Sequence, residues 1–167
     1  MNNSWKWIRV LILFVICFVL QTTVADWLSI FGAGPDFVLI LIVSIAIKHG
    51  PAAGALWGFL AGFTQDVYAP VEWLGANTIS MTVLGFFVGQ LEERFLTLNL
   101  PAKVGVLGFG FLLCDMLYFF LTGLEKDVVT NLFFSKTLPE CAYTMVSGAV
   151  VFHLSVGKKK RHAYHVG

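Results

Sequence analysis

Glycine recurs at every fourth position of one apolar stretch, at Gly50, Gly54, Gly58 and Gly62. Residues four apart lie on one face of an α-helix, so this spacing predicts a helix with a flat seam along one side. Such seams are typical of helices in membranes, where small residues let a second backbone approach closely and gain dispersion contacts. Asp66 continues the same spacing and would place a carboxylate at the end of the seam.

A second pair with this spacing, Gly85 and Gly89, lies in a later apolar stretch. We interpret the two sets together as a helix-packing or partner seam. The seam could serve packing inside the chain or binding of a partner helix, and packing inside the chain is the default expectation.

The composition is that of an integral membrane protein. Of 167 residues, 57% are hydrophobic and 13% are charged, and the mean hydropathy is +0.80. A soluble domain needs more polar surface than this. Six apolar stretches are candidate membrane-crossing helices, at approximately residues 8–24, 37–47, 52–67, 74–91, 102–121 and 138–156.

We therefore predict an all-α polytopic fold, a compact bundle of about six transmembrane helices forming a single domain over residues 1–167. The second stretch is shorter than the ~20 residues of a straight span, so its full crossing stays open. The residues from 157 to 167 are predicted to form a basic tail.

The distribution of basic residues predicts the orientation of the bundle. With both termini in the cytoplasm, nine of the 11 Lys and Arg residues lie on the inner side, and only Lys126 and Lys136 lie outside. Because cytoplasmic loops are enriched in Lys and Arg, this arrangement is favoured. The nine inner residues are Lys6, Arg9, Lys48, Arg94, Lys103, Lys158, Lys159, Lys160 and Arg161.

Five residues are candidates for polar structural or partner contacts: Asp36, Asp66, Gly75, Asn77 and Asp115. Asp66 is expected near the outer end of the third helix, where a structural hydrogen bond and a direct partner contact are equally open. Gly75 predicts a turn, after which Asn77 or Thr78 could cap the fourth helix.

Asp115 is predicted near the middle of the fifth stretch and must face protein or water rather than lipid. We expect it to form a polar clamp between helices. A proton relay, with His153 as its deep partner, is the weaker alternative.

No catalytic motif is present, so we expect no enzymatic activity, no cofactor and no metal site. The three cysteines, Cys17, Cys114 and Cys141, lie singly in apolar stretches and predict packing residues rather than disulfides or a zinc site. Nothing in the sequence indicates binding to nucleic acid.

The order of several short motifs resembles the rod shape-determining MreD family. The motifs are Gly34-Pro35-Asp36, Gly50-Pro51, Gly58-Phe59, Gly62-Phe63, Asp66, Leu74-Gly75, Gly85 and Gly89. These motifs cover roughly residues 30 to 95. The rest of the chain, including its length and its basic tail, fits the family less specifically. The resemblance implies a non-catalytic scaffold of the bacterial inner membrane that maintains rod shape. Its implied partners are MreC, MreB, RodA and a penicillin-binding transpeptidase, besides membrane lipids, and self-association is left open.

Family-level comparison also suggests a fold like the substrate-binding subunits of energy-coupling-factor vitamin transporters. The alternative function is therefore a small-molecule binding subunit of such a transporter. A small-molecule pocket would need polar side chains that converge at the outer helix ends. We expect no such set beyond Asp66, Glu72, Asn77 and Glu140, which argues against this alternative.

Overall fold

The computed structural model describes residues 3–23, 34–91 and 100–163, which are helical apart from short connections. Within them lie six long helices: α1 (Asn3–Thr23), α2 (Phe37–His49), α3 (Pro51–Asp66), α4 (Ala76–Gln90), α5 (Leu100–Thr122) and α7 (Leu138–Ala163). A 3₁₀ turn (Val71–Trp73) precedes α4, and a short helix α6 (Lys126–Leu132) and a π-helical turn (Phe133–Thr137) precede α7. Val24, Arg94 and the end of the predicted tail fall outside the described residues.

The observed helices follow the six predicted stretches, with one clear difference at the carboxyl end. Helix α7 continues through Ala163, whereas its predicted stretch ends at residue 156. Lys, Arg and Ala all have high helix propensity, so a basic segment that leaves the apolar region can remain helical.

Helix α2 is the centre of the bundle. It contacts α1, α3, α4, α5 and α7, and eight of its 13 residues are buried. A helix surrounded by other helices needs no polar face, which explains why Ser44 is the one polar residue between Phe37 and Ile47. Its 13 residues extend only about 20 Å, less than the ~30 Å hydrocarbon core, so α2 does not cross it as a straight helix.

Large apolar side chains also cover the outward faces of the bundle. Leu11 on α1, Phe59 on α3, Phe109 on α5 and Val146 on α7 are each about half exposed or more. Among the described residues, two segments, Val71–Gln90 and Leu100–Thr122, are long and apolar enough to cross a bilayer, while Trp7–Thr23 and Phe37–His49 are apolar but shorter. Six crossings and the orientation of the termini stay predictions.

Successive long helices run in alternating directions, which gives the bundle two chemically different ends. Asp36, Asp66, Asp115 and Glu140 gather at one end, called here the carboxylate end. At the other, basic end, Trp7 of α1 contacts His49 of α2, with ring centroids 5.6 Å apart.

Candidate functional site

The glycine seam lies between α3 and α4, which pack antiparallel with their backbones in direct contact. A Cβ atom added at Gly58 would overlap the carbonyl oxygen of Met81, and one added at Gly62 would lie 2.6 Å from the carbonyl carbon of Asn77. Gly54 and Gly85 face each other, so a Cβ on either would meet the other's carbonyl group. The seam is therefore occupied within the chain.

The other end of the pair is closed by Gly89, where an added Cβ would lie 2.5 Å from the Pro51 Cα. The α5–α7 interface uses glycine differently. A Cβ at Gly108 would meet the flexible Met145 side chain rather than backbone. Direct backbone contact along a whole helix face is thus a particular property of α3 and α4, and it gives this pair little freedom to shift.

Two of the predicted site glycines, Gly50 and Gly75, lie in turns between helices. Gly50 joins α2 to α3 with φ +83°, and Gly75 precedes α4 with φ +96°; an added Cβ would meet nothing within 4 Å at either position. The first glycine of the predicted ladder therefore lies outside α3. The reason is Pro51, which cannot continue α2 but is well suited to begin a new helix.

Asp66 caps α4 from the end of α3. Its carboxylate accepts hydrogen bonds from the backbone N–H of Asn77 at 3.1 Å, from the N–H of Thr78 at 2.9 Å and from the Thr78 hydroxyl. Its side chain is only 2% exposed. The expectation that Asn77 or Thr78 caps α4 was wrong, because Asp66 on the neighbouring helix supplies the acceptor and Thr78 acts as a donor.

Asp36 and the next residue, Phe37, join three helices at the carboxylate end. Its side chain accepts the Leu39 N–H at 2.8 Å and caps α2, while its own N–H donates to the Thr144 hydroxyl of α7 at 3.0 Å. The next N–H, of Phe37, donates to Gln21 Oε1 of α1 at 2.8 Å. Burial raises the pKa of Asp36 to about 6. The hydrogen bond from the Leu39 N–H acts in the opposite direction and lowers this pKa, but its effect is smaller.

A cavity of about 670 Å³ opens among these helix ends. We call it the carboxylate-end cavity. Its wall is formed by α1, α3, α4, α5 and α7, by Asp36 at the start of α2, and by the 3₁₀ turn, α6 and the π-helical turn. Its polar lining residues are Gln21, Thr22, Asp36, Gln65, Tyr68, Trp73, Asn77, Asp115, Tyr118, Lys136, Thr137 and Glu140.

This convergence corrects the expectation that no polar set meets beyond Asp66, Glu72, Asn77 and Glu140. Asp66 faces α4 instead of the cavity, and Glu72 is exposed. Gln21 and Gln65 were missed, although each is a polar residue in the last turn of an apolar helix and so could have been recognised.

Asp115 lines this cavity and does not lie isolated at mid-span. Thr137 of the π-helical turn is within hydrogen-bonding reach of the Asp115 carboxylate and is only 2% exposed. The contact links α5 to the start of α7, as a clamp between helices would. His153, the suggested relay partner, is an exposed residue of α7 and does not line the cavity.

Comparison with known proteins identifies the family but no individual relative. No curated protein and no solved structure matches the chain, so the expected likeness to energy-coupling-factor subunits has no support. The model of the family "rod shape-determining protein MreD" matches residues 1–158 of the 167. The chain belongs to the MreD family of rod shape-determining proteins.

Proposed function

We propose that this protein is a non-catalytic membrane scaffold that binds MreC and helps to organise lateral peptidoglycan synthesis in the rod complex. The observation that carries the proposal is the family match over residues 1–158, which assigns a role in rod shape determination. A scaffold must keep its shape under load, and the backbone contact between α3 and α4 supplies a rigid pair for that purpose.

The partner helix of MreC must bind an outward face, because the glycine seam is already filled by α4. The outward faces of α1, α3, α4, α5 and α7 all carry exposed apolar side chains. In lipid, a single-span helix gains association energy from such a surface by close packing rather than by the hydrophobic effect.

Site-specific photo-crosslinking in the native bacterium tests MreC binding directly. A photoreactive residue is introduced at one exposed position on each of these helices: Ile16, Phe59, Phe87, Phe109 or Val146. The matched control is Leu39 on α2, which is 1% exposed. We expect crosslinks to MreC from one helix or two adjacent helices and none from Leu39. If every variant restores rod shape to cells lacking the native gene and none crosslinks to MreC, direct binding is rejected.

If the basic end of the bundle faces the cytoplasm, as we propose, this orientation determines where the other partners would contact the protein. In this orientation, the basic end of the bundle and the helical extension of α7 would face MreB, while RodA and the transpeptidase would contact the protein within or outside the membrane. Self-association through an apolar face is a further part of the proposal.

Labelling of introduced cysteines tests the orientation. Glu72→Cys lies at the carboxylate end and Lys48→Cys at the basic end, and both native residues are exposed. A membrane-impermeant maleimide added to intact spheroplasts should label Glu72→Cys and should label Lys48→Cys only after permeabilisation. The reverse pattern would invert the proposed orientation.

A further inference from the structure

The carboxylate-end cavity has the size and construction of a small-ligand site. Ligand sites in helical proteins are concave, lie between helices and enclose roughly 300–1,000 Å³, with apolar walls and a few converging polar groups. This cavity encloses about 670 Å³, and Phe18, Leu124, Val128 and Leu132 are among its apolar lining residues. Hydrogen bonds in which Asp36 and Gln21 take part join the ends of α1, α2 and α7 beside this cavity.

The charge of the cavity favours a cation. Three carboxylates line it, those of Asp36, Asp115 and Glu140, and Lys136 is the single Lys or Arg among its described lining residues. Lys136 is paired with Glu140 at 4.0 Å, four residues further along the chain. The lining thus carries an excess of two negative charges when all four groups are ionised, in a partly enclosed space where charges are weakly screened.

The aromatic lining favours an organic cation over a metal ion. Tyr68, Trp73, Tyr118 and Phe119 all contribute to the wall, and the face of an aromatic ring attracts ammonium and guanidinium groups. In the described part of the chain, no group of three or more His, Cys, Asp or Glu side chains is arranged to hold a metal ion.

The π-helical turn Phe133–Thr137 is an independent sign of a functional site. Such turns are rare and frequently occur at functional sites. Here the turn supplies two adjacent lining residues, Lys136 and Thr137, and Thr137 contacts Asp115.

We propose that the carboxylate-end cavity binds an organic cation, whose ammonium or guanidinium group is held by Asp36, Asp115 and Glu140 beside the aromatic wall. This group can belong to a free polyamine or to a Lys or Arg side chain of a polypeptide, and both present the same chemistry to the cavity. The inference is independent of MreC binding.

Equilibrium binding to the purified full-length protein in nanodiscs tests the inference. The cationic probes are spermidine and Nα-acetyl-arginine amide, and the neutral control is Nα-acetyl-citrulline amide, which has nearly the same shape as the arginine derivative. We expect saturable one-site binding of at least one cation and no binding of the citrulline derivative. Tighter binding of spermidine would identify a polyamine site, and tighter binding of the arginine derivative a polypeptide side chain.

Variants that remove one negative charge test whether the measured binding takes place in the cavity. Asp115→Asn should weaken the affinity at least about tenfold, because a hydrogen-bonded ion pair is lost. Asp127→Asn, on the exposed face of α6 and outside the cavity, makes the same change in net charge and should leave the affinity unchanged. Glu140→Gln provides a second test should Asp115→Asn fail to fold.

Three results would overturn the inference. They are no saturable binding of either cation up to about 10 mM, equal binding of the citrulline derivative, and equal weakening by Asp127→Asn.

Discussion

Replacing Gly58 with alanine would put a methyl group where the backbone of α4 already lies. The added Cβ would overlap the Met81 carbonyl oxygen and lie 2.8 Å from the Met81 carbonyl carbon. Both atoms belong to the main chain, so no side-chain rotation can relieve the contact. The two helices must therefore separate locally, and the neighbouring seam contacts lengthen with them.

The expected cost is about 3 kcal/mol, at the upper end of the 1–3 kcal/mol measured for inserting a methyl group into a packed core. This corresponds to roughly a hundredfold smaller folding equilibrium constant. Gly105→Ala is the matched control, because an added Cβ there meets nothing within 4 Å. It should be neutral or stabilising by up to ~1 kcal/mol, since alanine has the higher helix propensity.

Unfolding in mixed micelles with increasing SDS, followed by circular dichroism, measures both free energies. Gly58→Ala should unfold at a lower SDS fraction than the native protein, and Gly105→Ala at the same or a higher fraction. If both variants lie within about 0.5 kcal/mol of the native protein, the α3–α4 backbone contact does not contribute to stability as inferred.

Three further predictions use the same protein. Gly54→Ala and Gly85→Ala each force the same helix separation, so in SDS unfolding the double variant should cost less than the sum of the single ones by about 0.5–3 kcal/mol; strict additivity would contradict this. Asp66→Asn should cost about 1–3 kcal/mol in the same assay, because an amide group cannot accept all three hydrogen bonds, whereas Asp127→Asn should cost less than about 0.5 kcal/mol. Cation binding to the cavity should be at least about fourfold weaker at pH ~5.5 than at pH ~7.5, because protonation of Asp36, with its pKa of about 6, removes a negative charge, and protonation of the other two lining carboxylates acts in the same direction; an affinity that rises on acidification would contradict the role of this carboxylate. The other titratable groups near it are Cys17, Tyr68, Cys114, Asp115, Tyr118, Lys136 and Glu140.

The features that the sequence predicted are those encoded within one helix. The every-fourth spacing of Gly54, Gly58 and Gly62 indicated a flat face because the helical repeat is local, and this face is indeed in close contact. The apolar stretches located all six long helices for the same reason, although α1 begins before its stretch and α7 continues beyond its own. Gly50 was the exception, because its spacing matched the ladder although Pro51 begins a new helix after it.

The features that only the tertiary structure decided depend on which helices meet. Nothing in the neighbourhood of Asp66 indicates that its carboxylate caps α4, and Asp36 and Thr144, which are hydrogen-bonded, lie 108 positions apart. The carboxylate-end cavity combines residues from five of the six long helices with Asp36 at the start of α2, so its polar set has no counterpart in any one segment. Spacing determines which side chains share a helix face, but the packing of the whole bundle determines what each face contacts, because that choice minimises free energy over all the helices together.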